Sequence, residues 1–153
     1  MSRQSINQTT AAQRLDAAIE ALFLNDKLLL EYDVSERTIA AKLAHYLTGL
    51  FPGSHVDVEY NRHGVEPKTL AALSECDRAT ALVSPDIVIH QRGTDNCNVL
   101  AIEIKKNSSR EPLDCDRNRL REFRAQLGYS LAALVVLPVG SNLAQSDTCV
   151  EWI

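Results

Sequence analysis

One apolar segment constrains the fold more than any other part of this chain. Residues 132–137 are all apolar, and Pro138 and Gly140 come soon after them. A strand without polar alternation is typical of a sheet that helices cover on both faces. Proline and glycine commonly end such an element. We therefore predict an α/β domain in which this strand is buried on both faces.

Residue spacing predicts the other elements. Ser35 is suited to cap a helix, and Phe51-Pro52-Gly53 ends it. Helices are predicted at residues 11–24, 35–50 and 114–126, with a short one at 67–72, and strands at residues 55–60, 85–90, 99–106 and 132–137. Residues 28–30 are predicted to form a short buried stretch, and the pattern does not decide between helix and strand. This order predicts a central mixed four-stranded sheet flanked by helices, with the first helix as an N-terminal addition.

Length and composition indicate one globular domain. The chain has 153 residues, of which 45% are hydrophobic and 24% charged. This size suits a single domain spanning residues 1–153, with a core at about residues 35–139. No repeat or linker divides it.

Net charge argues against indiscriminate attraction to nucleic acid, because the chain carries −4. Residues 105–124 are locally basic, with seven basic and four acidic residues, or +3. Lys106, Arg117 and Arg121 in this segment are candidates for contacts with phosphates. A solvated helix face is an equally simple interpretation of the same charges.

Cysteine spacing and hydropathy bear on location. The four cysteines are scattered without zinc-site spacing, which predicts free thiols in a reducing cytoplasm. The N-terminal residues are polar and show no signal-peptide pattern. The longest apolar stretch, residues 131–139, is too short to span a bilayer. These features predict a cytoplasmic protein without a membrane segment.

Two acidic residues and a lysine stand at the predicted strand ends. Side chains alternate along a strand, so Glu103 and Lys105 project from one face, whereas Ile104 projects into the opposite core. Asp86 follows Pro85 at the start of the preceding strand, 17 residues (103 − 86) before Glu103. A strand that returns beside its neighbour brings these acids together. Paired carboxylates favour hard cations such as Mg²⁺ or Mn²⁺.

The pattern Pro85-Asp86 followed by Glu103-Ile104-Lys105, on two adjacent strands, resembles the PD-(D/E)xK nuclease superfamily. This restriction-endonuclease-like superfamily includes small stand-alone bacterial proteins. The resemblance implies that Asp86, Glu103 and the backbone carbonyl of Ile104 bind Mg²⁺ or Mn²⁺. It further implies that Lys105 helps to activate water and that Glu36, from the first core helix, supports catalysis.

The function implied by this resemblance is Mg²⁺-dependent phosphodiester hydrolysis by an endonuclease that acts on DNA. The core uses nearly all of the chain, which leaves little room for a target-recognition domain. The expected partners are therefore DNA together with a second copy of the chain in a homodimer, or a partner subunit.

Two other interpretations stay open. The chain could be a catalytically silent binding or scaffolding module with the nuclease fold, working in a DNA defence, repair or mobile-element complex. Alternatively, Glu103 and Lys105 could form a surface salt bridge on an unrelated α/β sheet, a type of pair that commonly contributes little energy. A large separation between Asp86 and Glu103 would favour the second of these.

Overall fold

The computed structural model describes residues 6–63, 66–67 and 84–153. The elements, in chain order, are α1 (Gln8–Glu31), α2 (Glu36–Leu47), β1 (His55–Val58), β2 (Arg62–His63), β3 (Glu66–Pro67), β4 (Ile87–His90), β5 (Leu100–Lys106), α3 (Leu113–Leu127), β6 (Leu131–Leu137), a 3₁₀ turn (Gln145–Asp147) and β7 (Cys149–Trp152). The helix predicted at residues 67–72 lies outside the described residues except for Pro67, which belongs to β3.

A mixed sheet forms the centre of the described structure. Its five strands have the order β1-β4-β5-β6-β7, and β2 pairs separately with β3. All neighbours are antiparallel except β5 and β6, which run parallel and are joined through α3. The mixed α/β class is confirmed, but the predicted number of four strands is wrong. The additional strand is β7, whose four residues are too few for a clear alternating pattern.

Helices cover the sheet on both faces. Ala133, Val135 and Leu137 of β6 pack with α1 and α2, whereas Ala132 and Leu134 pack with α3. The predicted burial of this strand on both faces is therefore confirmed, and it explains the unbroken apolar run. The same division holds in β5, where alternate residues belong to opposite cores.

Helix α1 is longer than predicted and includes residues 28–30. Asn7 caps its start by accepting a hydrogen bond from the backbone of Thr10 (2.8 Å). The helix is kinked at Asp26, which has non-helical backbone angles (φ −129°, ψ 27°). Tyr46 of α2 donates a hydrogen bond to the Asp26 carboxylate, so the kink is tied to the neighbouring helix.

The other helix boundaries follow their capping residues. Ser35 Oγ accepts a hydrogen bond from Thr38 N (3.3 Å), which confirms the predicted N-cap of α2. Gly128 ends α3 in the left-handed conformation (φ 70°), a position that glycine adopts without a Cβ penalty. The first turns of α2 and α3 both reach the carboxyl end of β5, where Lys105 lies near Glu36 and Asp116.

The cysteine prediction is wrong in one respect. Cys97 and Cys149 are thiols outside any disulfide, but Cys115 is disulfide-bonded. Sequence spacing does not reveal pairing between distant cysteines, so the thiols give no support for a reducing compartment. Among the described residues, no helix combines the length and apolar character needed to cross a bilayer.

Candidate functional site

The pairing of β4 with β5 brings Asp86 next to Glu103. Ile87 lies opposite Ile102, so the antiparallel register places the preceding Asp86 opposite Glu103. Asp86 Oδ2 accepts a hydrogen bond from the backbone nitrogen of Ile104 (2.7 Å). The two carboxyl groups are also hydrogen-bonded to each other. The two acids that the sequence predicts to be neighbours are therefore in contact.

Burial controls the protonation of this pair. Glu103 is only 4% exposed. Burial, reinforced by the nearby charge of Asp86, holds the pKa of Glu103 well above its usual range, and the positive charge of Arg119 offsets part of this effect. Burial also raises the pKa of Asp86, against the hydrogen bonds from Ile104 and Glu103. Of the two acids, Glu103 therefore has the stronger tendency to hold the shared proton and to donate the hydrogen bond to Asp86.

Lys105 extends from the same strand face into a group of carboxylates. Its side-chain nitrogen lies 2.8 Å from Glu111 Oε2, 3.7 Å from Asp116 Oδ2 and 3.9 Å from Glu36 Oε2. Burial lowers the pKa of Lys105, but these carboxylates outweigh it and the net shift is upward. Lys105 is thus a buried ammonium group beside the Asp86–Glu103 pair. It does not form the surface salt bridge with Glu103 that the alternative interpretation of the sequence predicted.

Glu36 approaches the same point from the first turn of α2. The backbone N–H of Lys106 lies near the Glu36 carboxylate and favours its ionised form. Burial raises the pKa of Glu36, and the nearby charge of Asp86 adds to the rise, whereas Lys105 lowers it. The structure thus brings all four predicted catalytic residues, Glu36, Asp86, Glu103 and Lys105, to one end of the sheet.

Two further charged residues come from α3 and were not predicted. Asp116 is 1% exposed, and its Oδ1 accepts a hydrogen bond from Arg119 Nη2. Arg119 Nε lies 3.6 Å from Glu103 Oε1. Asp116 Oδ2 is buried without a hydrogen-bond partner. We refer to the six residues as the acid cluster: Glu36, Asp86, Glu103, Lys105, Asp116 and Arg119.

A signal for Asp116 is present in the sequence. It stands four residues before Leu120, so it continues the inner helical stripe formed by Leu120, Phe123 and Leu127. A charged residue on such a stripe must be paired or functional. Arg119, at i+3 from Asp116, is the partner that this spacing allows.

Two of the three residues predicted to contact nucleic acid pair with acidic side chains of the domain itself. Lys106 Nζ lies 2.8 Å from Asp33 Oδ1, and Arg117 Nε lies 2.9 Å from Glu151 Oε2. Arg121 is exposed, and its Nη1 donates to Asn118 Oδ1 (2.9 Å). Lys106 and Arg117 therefore take part in ion pairs within the domain.

The acid cluster fits a divalent cation through Asp86 and Glu103. Among the described residues, no set of three or more His, Cys, Asp or Glu side chains is arranged to hold a metal ion. Mg²⁺ nevertheless commonly binds through one or two carboxylates and retains several waters. Asp86 and Glu103 supply two carboxylates that share a proton, and a cation could replace this proton.

A second charged network lies on the same sheet face. His90 is buried, and its Nε2 lies 2.9 Å from Asp57 Oδ2. Arg92 donates to both oxygens of Asp57, and the ring of Tyr60 meets that of His90 edge-on, with centroids 4.3 Å apart. Asp57, His90 and Arg92 form the Asp57 network.

A cleft of about 560 Å³ lies at the opposite end of β5 from the acid cluster. Arg14, Thr10, Ser54 and Asn98 are among the polar residues that line it, and none of its lining residues within the described part of the chain is acidic. The cleft is therefore separate from the carboxylate chemistry.

Comparison of this chain with protein-family models, with curated proteins and with solved structures finds no match.

Proposed function

We propose that this chain is a Mg²⁺-dependent endonuclease that hydrolyses phosphodiester bonds in DNA and is related to the PD-(D/E)xK nucleases. The observation that supports the proposal best is the hydrogen-bonded pair of half-buried Asp86 and buried Glu103, with Lys105 beside it. Two carboxyl groups held together in a buried position repel each other when both are ionised. A divalent cation relieves that repulsion and provides a reason for the arrangement.

Asp86 and Glu103 would hold Mg²⁺ or Mn²⁺, with the Ile104 carbonyl as the further ligand that the family resemblance implies. When bound, such a cation lowers the pKa of a coordinated water and stabilises negative charge on a phosphate. The Ile104 backbone nitrogen fixes the orientation of the Asp86 carboxylate through its hydrogen bond to Oδ2 (2.7 Å). Loss of the shared proton would leave both acids free to act as ligands.

Lys105 would assist the attacking water and the developing negative charge on the phosphate. Its ammonium group is held on the same strand face as Glu103 by the carboxylates of Glu111 and Asp116. A positioned cation that faces the reacting group stabilises the transition state without reorganisation. Glu36, 3.9 Å from Lys105 Nζ, would help to hold this ammonium group in place.

DNA recognition would require more than this chain alone. The net charge is −4, and Lys106 and Arg117 are engaged in ion pairs within the domain. Arg121 is exposed and is available to a phosphate. We therefore expect a homodimer or a partner subunit to supply much of the contact with DNA.

One observation favours the alternative function, a catalytically silent binding or scaffolding module in a DNA-handling complex. Lys105 is surrounded by carboxylates, and Glu111 Oε2 lies 2.8 Å from its Nζ. A lysine that is fully engaged in the domain could serve stability alone. A silent module would neither cut DNA nor depend on the carboxylate of Glu103 for binding to its partner.

Nicking of supercoiled plasmid in Mg²⁺ or Mn²⁺ tests the proposal. The wild type should cut and should stop in EDTA, and Glu103→Gln and Lys105→Met should each lose at least about a hundredfold of the rate. Glu20→Gln, at an exposed position on α1, is the control and should cut like the wild type. Cleavage that survives in Glu103→Gln would contradict the assigned site, and no cleavage of plasmid or branched DNA by the wild type would show that neither this chain nor its homodimer is a nuclease by itself.

A further inference from the structure

The cleft at the far end of β5 from the acid cluster is built from four separate parts of the chain. Its walls come from the start of α1, the loop before β1, the loop before β5 and the loop after α3. Its volume of about 560 Å³ is typical of pockets that hold small organic ligands. The cleft is therefore large enough for a ligand of the size of a nucleotide.

Arg14 is the only charged side chain among the described residues that line this cleft. Its guanidinium carbon lies over the Phe51 ring, 5.2 Å from the ring centroid. The side chain is half-buried, and it forms no ion pair with an acidic residue in the described part of the chain. Arg117 and Arg119 are buried to a similar degree, but both of them pair with carboxylates.

A half-buried guanidinium group without a carboxylate is an incomplete arrangement. Removing a charge from water costs free energy, which a partner of opposite charge normally offsets. The face of the Phe51 ring attracts the cation but carries no net charge that would neutralise it. An anionic ligand in the cleft would supply the missing partner of Arg14.

Hydroxyl groups around the cleft favour a phosphate over a carboxylate as this anion. Thr10, Ser54 and Ser130 all line the cleft together with Arg14. A carboxylate has two oxygens, and one arginine can satisfy both through a bidentate contact. A phosphate group has three strong acceptor oxygens, so it can use hydroxyl donors in addition to the arginine.

The remaining lining suits a heterocyclic base. Asn96 and Asn98 line the cleft with carboxamide groups, which both donate and accept hydrogen bonds. Asn98 is buried, and its Nδ2 donates to the Leu127 carbonyl (2.6 Å), which holds the amide in place. Pro52 and Val99 add apolar surface. Amide groups beside apolar surface match the polar edge and the flat face of a base.

From these observations we propose that the cleft is a binding site for a nucleoside monophosphate, with Arg14 on the phosphate and the amides of Asn96 and Asn98 beside the base. The cleft shares no residue with the acid cluster, so this proposal does not depend on the proposed nuclease function. It gives the chain a second ligand, and binding of this ligand requires no divalent cation.

Calorimetric titration in EDTA tests the proposal, because EDTA removes divalent ions through which the acid cluster could hold a phosphate. The probes are AMP, GMP, CMP and UMP, with ribose 5-phosphate, inorganic phosphate and succinate for comparison. At least one nucleotide should bind more tightly than all three comparison compounds. If no nucleotide binds, the proposal is wrong. Ribose 5-phosphate that binds as tightly as the best nucleotide would overturn recognition of the base, and succinate that does so would overturn the choice of phosphate.

Variants of Arg14 test its role as the phosphate partner. Arg14→Gln should weaken binding of the best nucleotide by at least about tenfold, because it removes the charge-assisted contact. Arg14→Lys retains the charge without the planar fork and should bind with intermediate affinity. Arg124→Gln, at an exposed position on α3, is the matched control, and it should bind like the wild type, as should Glu103→Gln. Equal binding by Arg14→Gln and the wild type would overturn the proposal.

A variant that leaves Arg14 unchanged covers the case in which its replacement disturbs the fold. Ser130 is exposed and lines the cleft, so Ser130→Phe should fill the cleft and abolish nucleotide binding. Nuclear magnetic resonance of the wild type should show the largest nucleotide-induced shifts at the backbone amides of Gly53, Gly128 and Ser130. Wild-type affinity in Ser130→Phe, or shifts confined to Lys105 and Lys106 at the acid cluster, would place the nucleotide elsewhere and overturn the proposal.

Discussion

The acid cluster and the Asp57 network are both charged, and both lie on the α3 side of the sheet, but their balance of charge differs. In the Asp57 network, hydrogen bonds from Arg92 dominate, with a further one from His90, and they lower the pKa of Asp57 to about 2. In the acid cluster, burial raises the pKa of Asp86 and of Glu103. The Asp57 network provides enough hydrogen bonds and positive charge to stabilise its ionised carboxylate. The acid cluster has too little positive charge to do the same for Asp86 and Glu103.

This difference separates a stabilising network from a candidate functional site. Burial of a charge is favourable only when its partners are complete, and the Asp57 network meets this condition. Asp116 Oδ2 lacks a hydrogen-bond partner, and burial holds the pKa of Glu103 well above its usual range. Functional sites commonly retain such unfavourable arrangements at the expense of stability. Substitutions that convert carboxylates to amides should therefore have opposite effects in the two regions.

The largest expected effect is a loss of stability in Asp57→Asn. The substitution leaves His90 and Arg92 without their carboxylate and should reduce the free energy of unfolding by about 2 kcal/mol. Urea denaturation at neutral pH measures this change, with Asp16→Asn on the exposed side of α1 as the control. A loss no greater than that of the control would show that the Asp57 network contributes little.

The second prediction concerns the free energy of unfolding at low pH. The folded-state pKa of Asp57 is about 2, below its unfolded value of roughly 4, so its contribution is present above pH 4 and is lost as the pH falls towards 2. The wild type should lose about 2 kcal/mol from this group over that range. Urea denaturation at several pH values should show the gap between wild type and Asp57→Asn closing with acid. A gap that stays constant would contradict the assignment.

The third prediction is a gain of stability, in contrast to the loss expected for Asp57→Asn. Glu103→Gln should increase the free energy of unfolding in EDTA by about 1 kcal/mol, because the introduced amide donates to Asp86 without needing a proton. Since the folded-state pKa of Glu103 is raised, its contribution is present below the unfolded pKa and is lost as the pH rises through the folded value. The advantage of the variant should therefore grow with pH. A variant less stable than the wild type at pH 8 would contradict this picture.

The smallest effect is expected at the rim of the acid cluster. Glu111 pairs with Lys105, but 77% of its side chain is exposed. Glu111→Gln should change the free energy of unfolding by less than about 0.5 kcal/mol, because exposed ion pairs are screened by water. Thermal denaturation beside Glu103→Gln makes the comparison, and a large loss in Glu111→Gln would place Glu111 among the structural partners of Lys105.

Strand geometry made much of the site predictable. The two-residue period places Glu103 and Lys105 on one face, and the return of β5 beside β4 places Asp86 next to Glu103. Both relations depend on local backbone geometry, which a sequence pattern records directly. Ser35 likewise predicted the start of α2 through its capping chemistry, and this brought Glu36 to the site.

The missed features depend on contacts between distant segments. Asp116 and Arg119 stand in a run of charged residues, in which the only signal of burial is the position of Asp116 on the inner stripe of α3. Residues 28–30 are three successive leucines, and a continuous apolar run shows no helical period. The exposed Leu28 and the buried Leu30 of α1 confirm that only packing distinguishes them. Strand β7 is recognisable only from its pairing with β6.

Calorimetric titration with Mn²⁺ tests the central claim most directly, namely that the Asp86–Glu103 pair is a divalent cation site and that the Asp57 network is not. Wild type and Asp57→Asn should each bind Mn²⁺, whereas Asp86→Asn and Glu103→Gln should lose binding although both remain folded. If the wild type binds no Mn²⁺, or if Glu103→Gln binds it as tightly as the wild type, the buried acid pair is not a metal site and the account is wrong.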